Sequence, residues 1–327
     1  MRHPVPDAGS PLRRRVLKAG VSCLVSASCG TFLTACGTAI HGSPPAAAGI
    51  PGVLLPARSL QGAPLIVKSS VTGVPMPRDG IGPLTLFVAP VAVAASSYDI
   101  YIADAGVGRL YRYDPLVEAM AIMPGVLVTQ QTRLAIGSDN SVYVANQGSI
   151  LVRRYERNGR LLQEIASTIG AARYDDIAVD GATGRLYGLD RVFRRLEEVH
   201  PMGRSARLIP DELLDGAPTA IAWDDQHLYL AGQPCGCVVA IAPMQGVRTV
   251  VAYGFRQPSA IAVRDGWLAV LDNVERTLSL FHHGQPRAAA SFESLRLFDP
   301  RSVALSGGYL YIADAAGARI AVFRLGR

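Results

Sequence analysis

A short apolar phrase closed by an acidic or small polar residue recurs six times along this chain. Its copies are Tyr101-Ile-Ala-Asp104, Tyr143-Val-Ala-Asn146, Tyr187-Gly-Leu-Asp190, Tyr229-Leu-Ala-Gly232, Leu268-Ala-Val-Leu-Asp272 and Tyr311-Ile-Ala-Asp314. Their last residues lie 42, 44, 42, 40 and 42 positions apart. A fixed period of this length marks an array of supersecondary units, each burying its apolar face against the next. A second apolar run precedes each phrase, at Val91-Ala-Val93, Leu134-Ala-Ile136, Ile177-Ala-Val179, Ile221-Ala-Trp223, Ile261-Ala-Val263 and Val303-Ala-Leu305. Turn formers such as Asp180-Gly181, Asp265-Gly266 and Gly307-Gly308 separate the two, as a hairpin requires. A third, alternating run follows, for example Arg109 to Tyr113 and Arg319 to Phe323, and most periods hold a fourth. Four strands per period make one propeller blade. The first run, continuously small or β-branched, is expected innermost, and these runs are too short and too β-branched for helices.

The expected fold is therefore an all-β, six-bladed β-propeller with four-stranded blades. Its sixth blade reaches only a third strand by Arg327, so an N-terminal strand is expected to close the ring by covering the open edge. The candidates are Leu65-Ile-Val-Lys68 and Leu84-Thr-Leu-Phe87. The segments Tyr311 to Phe323 and Tyr101 to Tyr113 resemble NHL repeats, which build six-bladed propellers, over roughly residues 84–327; the Asn-His pair usual before the repeat's arginine is absent. The resemblance implies a binding platform for proteins, RNA or glycans, with some metal-dependent lyases among relatives.

Arg13-Arg-Arg15 and Lys18 precede a small and apolar stretch from Ala19 to Leu33. This has the charge and length of a secretory signal and is too short to span a membrane as a mature helix. Leu33-Thr-Ala-Cys36 resembles a bacterial lipobox, which implies cleavage before Cys36 and its lipidation; Arg13 to Lys18 also resembles a twin-arginine export signal. Several acyl chains on one residue would give stable anchoring. The expected organisation is a signal peptide over 1–35, a lipidated cysteine with flexible tether over 36–62, and a propeller over 63–327. Gly37 after the cysteine favours an outer-membrane destination, facing the periplasm, in a Gram-negative host. The formal charge of +6 includes Arg2, Arg13, Arg14, Arg15 and Lys18 against Asp7, so the mature chain carries about +2. Near-balanced charge on an exported protein argues against nucleic acid as a partner.

The repeated Asp104, Asn146, Asp190, Asp272 and Asp314 sit at the ends of second strands, on a ring too wide to meet at one metal ion. A structural role is expected, with Asp104–Arg109, Asp190–Arg195, Asp272–Arg276 and Asp314–Arg319 bridging turns. Blade four departs from the rule, with Gly232 and then Gln233-Pro-Cys-Gly-Cys237. Outside the cytoplasm Cys235 and Cys237 are expected to form a disulfide; redox chemistry, Cu(I) binding and free thiols are the other readings. Histidines fall in the tether or in turns, and no catalytic or metal-binding constellation assembles by spacing, so no cofactor is implied. The loops leading into the inner strands carry Arg133, Arg173, Arg256 and Arg301 beside Tyr174, Asp176, Phe255 and Gln257. Guanidinium with aromatic neighbours suits an acidic protein, an anionic glycan or a small anion. The expectation is a lipid-anchored binding or scaffold module of the envelope, with a hydrolase or lyase at the channel mouth as the alternative.

Overall fold

The computed structural model describes residues 49–50, 52–66, 81–147, 149–169, 173–202, 206–214 and 216–326. The expected signal peptide and Cys36 lie outside the described residues. Strands β1 (Leu54–Leu60), β2 (Gly62–Ile66) and β3 (Ile81–Leu86) come first. Blade one holds β4 (Pro90–Ala95), β5 (Ile100–Asp104), β6 (Arg109–Asp114) and β7 (Ala119–Met123). Blade two holds β8 (Thr132–Ile136), β9 (Val142–Asn146), β10 (Leu151–Tyr155) and β11 (Leu161–Ala166). Blade three holds β12 (Asp176–Val179), β13 (Leu186–Asp190), β14 (Arg195–Val199) and β15 (Ala206–Leu208), followed by the single turn α1 (Asp211–Leu214). Blade four holds β16 (Gly216–Asp224), β17 (His227–Pro234), β18 (Cys237–Ala242) and β19 (Val247–Tyr253). Blade five holds β20 (Pro258–Arg264), β21 (Trp267–Asp272), β22 (Thr277–His282) and β23 (Gln285–Ser291). Blade six holds β24 (Pro300–Ser306), β25 (Tyr309–Asp314) and β26 (Arg319–Leu325).

The sheets form a six-bladed propeller in which consecutive innermost strands are neighbours, and β24 returns to β4 to complete the ring. An N-terminal strand does close it, but neither expected candidate is that strand. β1 pairs antiparallel with β26, Leu54 opposite Leu325 and Leu60 opposite Ile320. β1 therefore falls inside the segment 36–62 expected to be tether. Leu65 and Ile66 belong instead to β2, and Leu84 to Leu86 to β3, a hairpin added to the outside of blade one. The reason is burial: Leu54 is fully buried in the core between blades five and six, whereas Leu84 and Leu86 are exposed. A closing strand needs an apolar face toward that core.

The six hydrophobic clusters lie between adjacent blades, and the repeated phrases follow from that. Side chains alternate across a strand. In β24 Val303 and Leu305 face blade five while Ala304 faces blade one; in β12 Ile177 and Val179 face blade two while Ala178 faces blade four. Each central alanine leaves room near the axis for the larger residues of the following blade, so small meets large around the ring. The Tyr of the second phrase faces the next blade and the aliphatic residue after it faces the previous one, as with Tyr101 and Ile102. Blade one shows where the expected alignment slips. Ala94 pairs with Tyr101 as Ala304 pairs with Tyr311, so the counterpart of Val303-Ala-Leu305 is Val93-Ala-Ala95 rather than Val91-Ala-Val93. The run Val91-Ala-Val-Ala-Ala95 carries the x-Ala-x pattern twice, and only its second copy meets Tyr101 as Val303-Ala-Leu305 meets Tyr311.

Candidate functional site: the central channel

The inner strands all run in one direction, from a lower face, where the chain leads into them, to an upper face, where they turn back. On the lower face the repeated acidic residues gather backbone amides in blades one, three, five and six. Asp272 accepts the amides of Arg256 and Gln257 on Oδ2, at 2.6 and 3.2 Å, and those of Val274 and Glu275 on Oδ1, both at 3.0 Å. Asp104 accepts Val88, Ala89 and Gly106 amides, Asp314 accepts Phe298 and Asp299, and Asp190 accepts Arg173 and Phe193. The expected structural role is what these contacts describe, but backbone amides are the main partners. Of the expected ion pairs, Asp314–Arg319 is fully buried at 3.2 Å and Asp190–Arg195 is longer at 3.7 Å, while Arg276 lies over the Phe292 ring.

The residues expected to form a binding rim on this lower face divide into three groups. Arg173, Arg256, Gln257 and Arg301 are exposed; Arg256 pairs with Glu275 at 3.3 Å and Arg301 with Asp299 at 2.8 Å. Tyr174 and Phe255 are buried and form no rim. Tyr174 fills the space above Gly188, where a Cβ would come within 2.2 Å of its ring, and its hydroxyl donates to Glu197 at 3.0 Å. Phe255 packs edge-on against Phe281 in the core between blades four and five. The signal for Tyr174 was present in the sequence: Gly188 stands where the other phrases carry Ile, Val or Leu.

Arg133 and Asp176 occupy matching places on adjacent inner strands, where blades one, four, five and six have Ala92, Ala220, Ala260 and Ser302. Asp176 accepts its own blade's Ile177 amide at 3.0 Å and the next blade's Ile221 amide at 2.9 Å. Arg133 approaches it at 3.8 Å. Burial pushes the Asp176 carboxyl above the usual carboxylate range, against the pull of Arg133 and the two amides.

A cavity of about 1260 Å³ opens at the upper face, opposite the expected rim. Its wall is the three-residue inner phrase of every blade, from Val93-Ala-Ala95 round to Val303-Ala-Leu305. Its lip is built from the turns that follow those strands. In blades four, five and six these turns centre on Asp225-Gln226, Asp265-Gly266 and Gly307-Gly308, all with positive φ. Paired positive φ values are what a tight hairpin turn between twisted strands requires. Trp223 departs from its rung, which is Ala, Ile, Val, Val and Leu in the other blades, and stacks on Tyr187 at 4.9 Å and 10°. Tyr98 and Met244 stand exposed on the lip. Arginine clusters on the opposite face are visible in the sequence, whereas a cavity made of alanine and valine is not.

On the lower face of blade four Cys235 and Cys237 are disulfide-bonded, with Cα atoms 5.2 Å apart. Gly236 between them has φ +58°, and its carbonyl accepts the Gly254 and Phe255 amides, both at 2.9 Å. Among the described residues no three of His, Cys, Asp and Glu converge as a metal site would need.

No family model matches this chain, and no curated protein matches it. Among solved structures, a structural genomics protein of unknown function from Bacteroides thetaiotaomicron is similar with a TM-score of 0.57, at 16% identity, over 73% of this chain and 70% of its own. A catalytically inactive virginiamycin B lyase from Staphylococcus aureus, solved with quinupristin, gives 0.56 at 12% identity over 83% and 98%. The RRP9 WD40 repeats give 0.53 at 11% identity over 73% and 94%. Likeness at such identities is one of fold alone.

Proposed function

We propose that this protein is a membrane-anchored, extracytoplasmic binding module of the bacterial envelope, related to the NHL propellers and taking its ligand or partner at the upper mouth of the channel. The observation that carries this reading is the open 1260 Å³ cavity, whose walls are the ends of six paired strands and so need no rearrangement to receive a ligand. Exposed arginines on the lower face support it less well, since Arg256 and Arg301 already have acidic partners.

The anchor would be Cys36, 18 residues before Leu54. β1 runs antiparallel to β26 and so starts on the upper face, and 18 residues reach at most about 60 Å. The tether would then join the propeller on the face that carries the mouth. Two measurements test the reading. Cys36→Ser should abolish incorporation of labelled palmitate and release the protein from membranes; retention of both would remove the anchor. Photo-cross-linkers placed at Tyr98 or Met244 on the lip should capture a ligand or partner in cells. Capture from Phe193 or Tyr253 on the lower face instead would reject the cavity as the binding site.

A further inference from the structure

The walls and lip of the cavity are chemically different, and together they select a ligand class; this inference rests on the cavity being the binding site. Below the lip the walls are apolar, and an apolar ligand body gains free energy by leaving water there. Trp223 adds an aromatic surface where five other blades have an aliphatic residue, one ring face stacked on Tyr187 and its edge lining the cavity. Tyr98, in blade one, stands across the ring from it.

The charged residues of the mouth are Asp180, Asp224, Asp225 and Asp265 against Arg185 and Arg264, an excess of two negative charges (four less two). The cations are already engaged. Arg185 pairs with Glu198 at 3.2 Å, and Arg264 lies 4.0 Å from Asp265. Asp180 is occupied with its own turn, accepting the Ala182 amide at 2.9 Å and the Thr183 hydroxyl. Asp224, Asp225 and Asp265 lie close together where blades four and five meet, with Arg264 as the one cation beside them in the lip. Burial, and secondarily the charges of Asp265 and Asp225, hold the Asp224 carboxyl above the usual range despite the opposing pull of Arg264.

We propose that the cavity takes an amphipathic cation: a ligand with an apolar or aromatic body that enters the channel against Trp223 and an ammonium or guanidinium group that stays at the carboxylate lip. An anionic ligand of the same shape would meet the excess negative charge, and a cation gains from both the lip and the faces of the aromatic rings.

The chain has two tryptophans, so Trp267→Phe leaves Trp223 as the sole indole reporter inside the cavity. Trp267 stacks on His282 and does not line the cavity. The probes are decyltrimethylammonium and decyl sulfate, equal in chain length and opposite in charge, titrated below their micellar concentrations. The expected result is a saturable change in Trp223 emission with about tenfold tighter binding of the cation. The preference should vanish in Asp225→Asn/Asp265→Asn, since Asn tolerates the positive φ of both turn positions. Saturable binding of both probes with equal affinity would overturn the cation inference and leave the cavity reading intact. A preference that survives the double variant would overturn the role of the lip. Silence from Trp223 with both probes would overturn the inference and the cavity reading together.

Discussion

Replacing Asp272 by alanine should cost about 4 kcal/mol, and replacing Arg276 by alanine less than about 1. The carboxylate is 1% exposed and accepts four amides, two from the loop leading into blade five and two from the turn after β21. An orphaned buried amide costs about 1–3 kcal/mol. The loop and turn lie near solvent, so the lower figure applies to each, giving about 4 kcal/mol for the four. Arg276 meets the Phe292 ring at 5.6 Å, a contact worth roughly 0.5–1 kcal/mol at an exposed site. Asp272→Asn should fall between, at about 2 kcal/mol, because its carbonyl oxygen keeps one pair of amides and its amino group faces the other. Urea unfolding followed by circular dichroism gives the three values, and hydrogen exchange should rise at residues 256, 257, 274 and 275 in the alanine variant. If Arg276→Ala cost as much as Asp272→Ala, the turn would be held by the ion pair expected from spacing and the amide account would be wrong. Blade six offers the contrast. Both Asp314 and Arg319 are fully buried there, so Arg319→Ala should cost about 3–5 kcal/mol.

Leu54→Ala should destabilise by about 2–5 kcal/mol and Leu84→Ala by less than about 0.5, measured in the same denaturant series; the reverse order would return ring closure to the segment around Leu84. Gly188→Ala should cost about 1–3 kcal/mol through its clash with the Tyr174 ring, and Tyr174→Leu in the same chain should recover part of that loss; additive costs would separate the two residues. Asp176 has a carboxyl pKa raised by folding, so the native state binds its proton more tightly than the unfolded chain does. Stability from this group is greatest below the ordinary value near 3.9 and is lost as pH rises through the raised native value. The stability difference between wild type and Asp176→Asn should therefore slope downward with pH in that acid window and be flat above it; a flat difference throughout would show that burial does not dominate at this site.

Blade number, strand order and the innermost place of the x-Ala-x runs were legible in the sequence, because each copy repeats the same small-against-large contact with its neighbour. What was not legible came from single departures. Proline at positions 90, 218, 258 and 300 opens a one-residue bulge at the start of four inner strands, and in blade one the run Val91 to Ala95 holds two x-Ala-x copies of which only the second meets Tyr101. The same prolines carry a further signal. Pro90, Pro258 and Pro300 each stand 14 residues before the carboxylate that binds the two amides preceding them. Tyr174 and Phe255 neighbour Arg173 and Arg256 in sequence, yet neighbours in an extended chain point to opposite sides, so the rings are buried while the guanidinium groups are exposed. Pro56 and Arg58 disguise β1 in the sequence, and a bulge between them lets Leu54 and Leu60 both reach core.

Blade four lacks the carboxylate that the other blades share with Asn146, and its geometry accounts for the loss. Elsewhere the second strand ends at the acidic residue, whose side chain gathers the amides of the chain leading in. In blade four the ladder between β16 and β17 continues past Gly232, pairing Ala217 with Gln233 and Gly216 with Pro234. Backbone partners thus replace a carboxylate, and a side chain at 232 would point at the Ala217 carbonyl, 3.4 Å from its Cβ. The longer strand leaves little chain before β18, so the turn must be tight, and the Cys235–Cys237 link and left-handed Gly236 supply that. Its carbonyl then takes the amides of Gly254 and Phe255, the two residues immediately before those claimed by Asp272. Four consecutive amides leading into blade five are thus divided between the turn of blade four and the carboxylate of blade five. The cysteine pair reads as the brace of that joint, on the face away from the cavity.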